Sequence, residues 1–180
     1  TIDAQSDRLA NLIANLLDMS RIHAGSVRPS IQPVVVEDVL YRAVSTLGAD
    51  GSLVSIDVAD VLPPIAADRG LLERALANVI DNAVAWSPPA TPVRVEAAAA
   101  GDHVDIRVID QGPGIPREQR DQLFVAFQRL GDRAGGSPTG VGLGLAVARG
   151  FVRAMGGELT VDDTPGGGAT FIFTMQRTQE

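Results

Sequence analysis

The sequence predicts an α+β sandwich, with helices laid on one face of a largely antiparallel sheet. Three observations point to it. Helix-like and strand-like segments mix without regular strand–helix–strand alternation. The pairs VRVEAAAA with HVDIRVID, and ELTVDD with ATFIFTM, are joined by glycine-bearing turns and read as two hairpins. The segments with helical period carry an apolar face that needs a layer to cover it.

Residues 1–24 read as one amphipathic helix, because Leu9, Leu12, Ile13, Leu16 and Leu17 recur at helical spacing. Read as heptads, Ile2, Leu9, Leu16 and His23 share one seam position, and Leu12 and Met19 the other. That pattern suits packing on a partner helix. It equally suits an ordinary helix docked on its own domain. Ala24-Gly25-Ser26 supplies a stop. IQPVVV reads as a strand, and Glu37 to Leu47 as a helix with Val39, Leu40, Ala43, Val44 and Leu47 on one face. LVSIDVA alternates as a half-buried strand. A short IAA strand leads to Asp68, a helix N-cap for RGLLERALANVIDNAVAWS, which runs to Pro88-Pro89. After the first hairpin comes a glycine-rich, largely polar region from Gln111 to Thr139, interrupted by the helical patch EQRDQLFVAF. A helix from Leu143 to Met155 ends at Gly156-Gly157, and the second hairpin turns at Pro165-Gly166-Gly167-Gly168.

Apolar residues make up 45% of the 180 and aromatics 4%, so aliphatic packing must dominate one core of ordinary size. Fifteen basic against 22 acidic residues leave a net charge of −7, which argues against general nucleic-acid binding and against docking on anionic membranes. With no cysteine, disulfides and thiolate metal sites are excluded, and His23 and His103 lie too far apart to suggest a histidine metal site. No apolar run approaches the ~20 residues of a membrane helix, and no signal peptide opens the chain, so the polypeptide is expected to be soluble and cytoplasmic. Every basic side chain apart from the histidines is arginine. Without lysine, neither a Walker-type phosphate loop nor a eukaryotic-type protein kinase site can be assembled.

Three glycine clusters stand at element boundaries: Gly112 and Gly114 after a strand, Gly140, Gly142 and Gly144 before a helix, and Gly166 to Gly168 before the last strand. A side-chain-poor turn feeding a helix start is an anion cradle, since the first N–H groups are unpaired and the helix dipole is positive there. Three clusters together suggest backbone closing around a ligand. Asp110 follows the apolar pair Val108-Ile109, so its carboxylate would be partly buried and would want a donor such as a ring amino group. Asn78 and Asn82 lie four apart on one helix face. They read as a solvated stripe, or, given their apolar flanks, as neutral oxygens that suit Mg²⁺ held jointly with substrate phosphates.

Taken in order, NVIDNAVAWS, DQGPGIP, LFVAF and GVGLGL resemble the four boxes of the ATP-binding domain of bacterial two-component sensor histidine kinases, and GGGATF resembles their late glycine-threonine element. The resemblance covers residues 31–176. It implies the Bergerat nucleotide-binding fold shared with gyrase, mismatch-repair ATPases and heat-shock chaperones, a two-layer α/β sandwich holding ATP beneath a lid.

Carried over, the resemblance implies that Asn82 ligates Mg²⁺ and Asn78 supports the same site. It implies that Asp110 binds the adenine amino group, with Gly112 and Gly114 letting backbone approach the base. Phe124 and Phe127 match the aromatic box anchoring the lid, which amphipathic packing alone also explains. Gly140, Gly142 and Gly144 match the loop under the triphosphate. Ile115, Val141, Leu143, Leu145 and Thr170 fall in the same boxes as implied nucleotide contacts. Arg129 falls where a lid cation could reach the γ-phosphate, and also reads as a solvated arginine. The family often has Lys-Tyr three and four residues after the second asparagine; here Ala85 and Trp86 stand there, and Trp86 keeps an aromatic surface for adenine or ribose.

Residues 1–28 resemble the second helix of the dimerisation and phosphoacceptor hairpin plus its linker, and NLLDMSRIHAG is similar to sensors of the potassium-responsive Kdp type. Residues 29–180 would form the ATP-binding catalytic domain. The first hairpin helix, with its phosphoacceptor histidine, is not in the sequence, and His23 does not replace it. The expected function is transfer of the ATP γ-phosphoryl group to that histidine. The implied partners are the phosphoacceptor helix of the same sensor and a cognate response regulator, with no nucleic acid, and with the membrane touched only through other parts of a plasma-membrane sensor. Weighed against this are an ATP-driven conformational ATPase, whose relatives carry a glutamate base where Asn78 stands; an anti-sigma serine kinase; and a nucleotide-free interaction module.

Overall fold

The computed structural model describes residues 2–128 and 142–178, with side chains from residue 9 onward. Helix α1 spans Ile2–His23, followed by β1 (Gln32–Val34), α2 (Val36–Ser45) and a 3₁₀ turn over Gly48–Leu53. Strands β2 (Val54–Val58) and β3 (Ile65–Ala67) lead into α3 (Arg69–Trp86), then β4 (Val93–Ala100) and β5 (His103–Ile109). Helix α4 (Gly144–Ala154) and strands β6 (Glu158–Asp163) and β7 (Ala169–Gln176) close the chain. None of these helices is long and apolar enough to cross a membrane.

Five strands form one sheet in the order β2-β4-β5-β7-β6. The expected antiparallel character holds except for β2, which runs parallel to β4 because β3 and the crossover helix α3 separate them in sequence. Both predicted hairpins are present, β4 with β5 and β6 with β7. Strands β1 and β3 pair separately as a small antiparallel ribbon.

The register decides which side chains reach the core. Val95 faces Val108, Val108 faces Phe171, and Ile106 and Leu159 both face Phe173. All of these are fully or almost fully buried. On the same strands Arg94 and Arg107 point away and are exposed, the alternation of a sheet covered on one side. Leu72, Leu76, Val79, Ile80 and Ala83 of α3, with Val147, Phe151 and Val152 of α4, supply the covering layer. The low aromatic content is concentrated where it packs best: Phe151, Phe171 and Phe173 are among the largest fully buried side chains. The sandwich predicted from the sequence is the fold observed.

Several local expectations are corrected. EQRDQLFVAF is not one helical patch but two 3₁₀ turns, Arg117–Gln119 and Gln122–Phe124. A run this short nucleates an α-helix poorly, and Pro116 opens it in an extended conformation. The helix expected over Glu37 to Leu47 runs Val36–Ser45, and the one expected over Leu143 to Met155 runs Gly144–Ala154. Asp68 is the predicted N-cap of α3: its Oδ1 accepts from the Leu71 N–H at 3.1 Å. Helix α1 docks on its own domain, one of the two readings its pattern allowed, through the side that carries Met19 of the second heptad seam and not through the Leu9–Leu16 seam. Asp18 is buried, and Met19 and Ile22 pack on the core, while Leu9, Ile13, Leu16 and Leu17 remain more than half exposed.

Candidate functional site

The end of β5 positions the central acid. Val108 and Ile109 are buried, and Asp110, one residue further, is only 4% exposed. Its backbone continues the pairing with β7, donating to the Ala169 carbonyl at 2.9 Å. Its carboxylate Oδ1 accepts from the backbone N–H of Gly112 and of Ala169, each at 2.9 Å. Among the described residues nothing donates to Oδ2. Burial pushes the Asp110 carboxyl above the ordinary carboxylate range, and the two backbone N–H groups oppose that without reversing it. A fixed carboxylate with one committed oxygen and one uncommitted oxygen is a receptor for a single N–H donor.

Glycines let three chain segments close on this acid. Gly168 has φ +107°, and a Cβ there would stand 2.1 Å from the Asp110 carbonyl oxygen. Gly114, at φ +76°, stacks on Gly168, with a Cβ 3.3 Å from that residue's oxygen. A side chain at Gly112 would meet the Trp86 carbonyl at 2.8 Å and Asp110 Oδ1 at 3.1 Å. Trp86, half-buried at the end of α3, is thereby brought beside the acid's turn, and Gln111 donates to the Ser87 hydroxyl at 3.5 Å. Thr170 is nearly buried, its hydroxyl 2.9 Å from that of Thr164 across the hairpin. Ile115 is half-buried against the core.

The second half of the site lies between α3 and the start of α4. Asn78 Nδ2 donates to the Gly144 carbonyl at 3.2 Å and to Asn15 Oδ1 of α1 at 3.4 Å. Asn82, one turn on and half-buried, has no hydrogen-bond partner among the described residues. Leu143 and Leu145 are buried and pin the start of α4 to the core. No side chain caps that helix, so its first N–H groups stay available to an anion. Gly142 adopts φ +74°; its carbonyl accepts from the Phe127 N–H at 3.1 Å, and a Cβ would stand 2.6 Å from the Gln128 oxygen. Phe127 and Gln128 therefore lie against Gly142. Arg129, Gly140 and Val141 lie outside the described residues.

The two phenylalanines divide their work. Phe124 is half-buried on the core, with the Arg149 guanidinium 4.5 Å from its ring centre. Phe127 is 62% exposed at φ +65° and holds Gly142 through its backbone alone. Arg149 was not a candidate from sequence, because its ring partner lies 25 residues away in the chain. Asn15 was missed too, hidden as a polar position within an apolar heptad.

The donor set fits a magnesium ion shared with a substrate. Among the described residues no three histidine, cysteine, aspartate or glutamate side chains come together as a metal cage. What faces the start of α4 is the neutral Asn78 amide, its nitrogen on the Gly144 carbonyl and its oxygen uncommitted among the described residues, and Mg²⁺ habitually takes few protein ligands and completes its shell with phosphates and water.

The chain is similar to known proteins in sequence and in fold. The family described as histidine kinase-, DNA gyrase B- and HSP90-like ATPase matches residues 67–179. The sensor protein KdpD of Mycobacterium tuberculosis is 46% identical over 183 residues, covering 97% of this chain and 21% of that protein. The chain thus spans about a fifth of that curated relative's length. Full-length ShkA in complex with AMPPNP superposes with a TM-score of 0.79 at 29% identity, over 98% of this chain and 38% of that one. The mycobacterial sensor histidine kinase MprB superposes with a TM-score of 0.69 at 31% identity, over 83% of this chain and 99% of that one. The chain belongs to the histidine kinase-, DNA gyrase B- and HSP90-like ATPase family, and within it to the sensor histidine kinases.

Proposed function

We propose that the chain binds ATP with Mg²⁺ and donates the γ-phosphoryl group to a histidine on the phosphoacceptor helix of its own sensor kinase, from which a cognate response regulator is served. Residues 29–180 act as the catalytic domain, and residues 1–28 as the second helix of the dimerisation hairpin with its linker. The 46% identity to KdpD supports a potassium-sensor type, working on the cytoplasmic side of a plasma-membrane protein. The observation that carries the reading is Asp110. It is buried, fixed by two N–H groups on one oxygen, and open on the other, as recognition of an exocyclic amino group requires.

The residues divide the task by chemistry. Asp110 accepts from the adenine amino group while Gly112, Gly114 and Ile115 give the ring a close, partly apolar wall, with Trp86 and Thr170 alongside. Gly140, Val141, Gly142 and Leu143 lead into Gly144 and Leu145, where free N–H groups of α4 face the phosphates. Asn82 offers its oxygen to the metal and Asn78 supports it. Bound Mg²⁺ would supply charge neutralisation on the phosphates. Arg129 is assigned to the γ-phosphate. The acceptor imidazole nitrogen forms the new N–P bond as the bond from the γ-phosphorus to the β-phosphate oxygen breaks, so ADP leaves. Such a transfer asks the protein mainly for positioning and electrostatics.

Hydrolysis is the weaker alternative for a specific reason. Asn78 stands where the ATPases of this fold carry a general base, and its amide spends its N–H groups on Gly144 and Asn15. An amide takes no proton from water at neutral pH.

The test is twofold. Calorimetry with a non-hydrolysable ATP analogue and Mg²⁺ should show one site per chain, lost in Asp110→Ala. An added phosphoacceptor hairpin should gain acid-labile, base-stable phosphate from ATP. Binding that ignores Asp110, or free phosphate release without hairpin labelling, would sink the reading.

A further inference from the structure

Helix α1 reaches the site through one face that mixes polar and apolar residues. Asn15, Asp18, Met19 and Ile22 recur at the spacing of a single helical face. Asp18, 3% exposed, is paired with Arg74 of α3, whose Nη1 donates to Oδ1 at 3.1 Å and Nη2 to Oδ2. The Arg74 guanidinium also lies 5.3 Å from the Phe151 ring centre. Asn15 and Asn78 form the next rung at 3.4 Å. Asn15 precedes Asp18 by three residues and Asn78 follows Arg74 by four, so the two contacts are successive rungs between antiparallel helices. Ile22 completes the dock in the space beside Gly150, where a Cβ would stand 2.6 Å from its Cδ1.

The consequence lies in the Asn78 amide. A carboxamide has two N–H donors on its nitrogen and acceptor sites on its oxygen. At Asn78 the nitrogen donates to Gly144 and to Asn15, which leaves Oδ1 as its one uncommitted polar atom among the described residues. The Gly144 carbonyl rejects the flipped amide, since it would then face another oxygen, and Asn15 Oδ1 holds the second N–H of the same nitrogen. We propose that Asn15 is a positioning residue for the metal–nucleotide site: it holds the Asn78 amide with its oxygen free, so that affinity for the magnesium-bound nucleotide depends on α1 being docked. This rests on the proposed function. By linkage, the bound magnesium nucleotide must tighten the docking of α1 by the same factor.

The experiment measures binding of a non-hydrolysable ATP analogue by calorimetry, in Mg²⁺ and in EDTA, on the 180-residue chain. Asn15→Ala should weaken binding in Mg²⁺ by about two- to ten-fold, the worth of one neutral hydrogen bond, and leave binding in EDTA as in wild type. Asn15→Asp, which keeps an acceptor oxygen for Asn78, should recover most of the loss. Hydrogen exchange adds a second readout: the magnesium nucleotide should slow exchange in the last turns of α1 in wild type but not in Asn15→Ala. Unchanged affinity in Mg²⁺, an equal loss in EDTA, or equal slowing of α1 in both proteins overturns the proposal. Failure of wild type to bind at all, or to gain from Mg²⁺, instead overturns the proposed function beneath it.

Discussion

Gly168 and Asp110 approach so closely that no side chain fits between them: a Cβ on Gly168 would stand 2.1 Å from the Asp110 carbonyl oxygen. That oxygen belongs to backbone and cannot swing aside. The left-handed φ of +107° adds strain for any L side chain. Gly168→Ala should therefore push the β6–β7 turn away from the acid, costing about 2–3 kcal/mol of stability. Nucleotide binding should fall at the same time, because the Ala169 N–H that fixes Oδ1 moves with the turn. Gly166→Ala is the control: its φ of +92° is comparably strained, but a Cβ there meets nothing within 4 Å. Chemical denaturation and calorimetry on the pair should separate strain from collision, and equal nucleotide affinity in both variants would refute the claim.

Asp110 titrates with opposite signs for stability and for binding. Burial raises its folded-state pKa above the unfolded value. The folded protein therefore holds the proton more tightly, a stabilisation present below the unfolded pKa and lost as pH rises through the folded one. The ionised form is the better acceptor of an adenine N–H, so nucleotide affinity should rise across that same window. Asp110→Asn keeps an oxygen for Gly112 and Ala169 while removing the buried charge. It should be less sensitive to pH in that window, more stable than wild type above it, and weaker for adenine nucleotides by about 1.5–3 kcal/mol. Unfolding curves at matched pH values, set beside calorimetry, check both signs. A variant that loses stability above the window would contradict the burial argument.

Phe124 and Arg149 tie the segment before Gln128 to α4. The guanidinium sits 4.5 Å from the ring centre, and burial lowers its pKa, with Arg153 adding repulsion. Among the described residues its Nε finds no hydrogen-bond partner. The ring face is thus a main compensation for a partly desolvated cation, an arrangement worth roughly 0.5–2 kcal/mol. Arg149→Met, which keeps the aliphatic bulk, should speed hydrogen exchange over residues 122–128 by a corresponding amount and leave β4, β5 and β7 unchanged. Acceleration spread evenly across the sheet would mean that the arginine serves the core instead.

Chain-local features were legible before the structure, and contacts between distant segments were not. Asp68 announces itself as a cap because its partner, Leu71, lies three residues away. Asp110 is legible because burial of Val108 and Ile109 and the glycines after it are all neighbours in sequence. Asn15 and Arg149 gave no such signal, since their partners lie 63 and 25 residues away, and one arginine or asparagine on a helix resembles any other. The 3₁₀ turns at Arg117–Gln119 and Gln122–Phe124 misled for a related reason: ten residues of mixed period do not separate a helix from two turns. On α1 the apolar pattern named Leu9, Leu12, Ile13, Leu16 and Leu17 with Met19 on a seam; Met19 packs on the core, yet the docking face also includes the charged Asp18, offset by its partner on α3.

That ion pair makes the last prediction. Asp18 is almost fully buried, while the Arg74 side chain keeps 43% of its exposure. Replacing the acid leaves a cation that can turn back to water, so the loss falls below the 3–5 kcal/mol of a fully buried pair, at roughly 1–2 kcal/mol. The change should be local. The core of the sandwich is built by α2, α3, α4 and the sheet, and among the described residues α1 adds only Met19 and Ile22 at its edge. Asp18→Ala should therefore release the last turns of α1 to fast hydrogen exchange while the denaturant midpoint of the sheet core stays near wild type. Arg74→Met should release α1 in the same way, although it strands the Asp18 carboxylate, which gains freedom to reach water as the helix lifts. A cooperative loss of the whole fold in either variant would show that α1 is part of the folding core, and that its contact with Asn78 is structural.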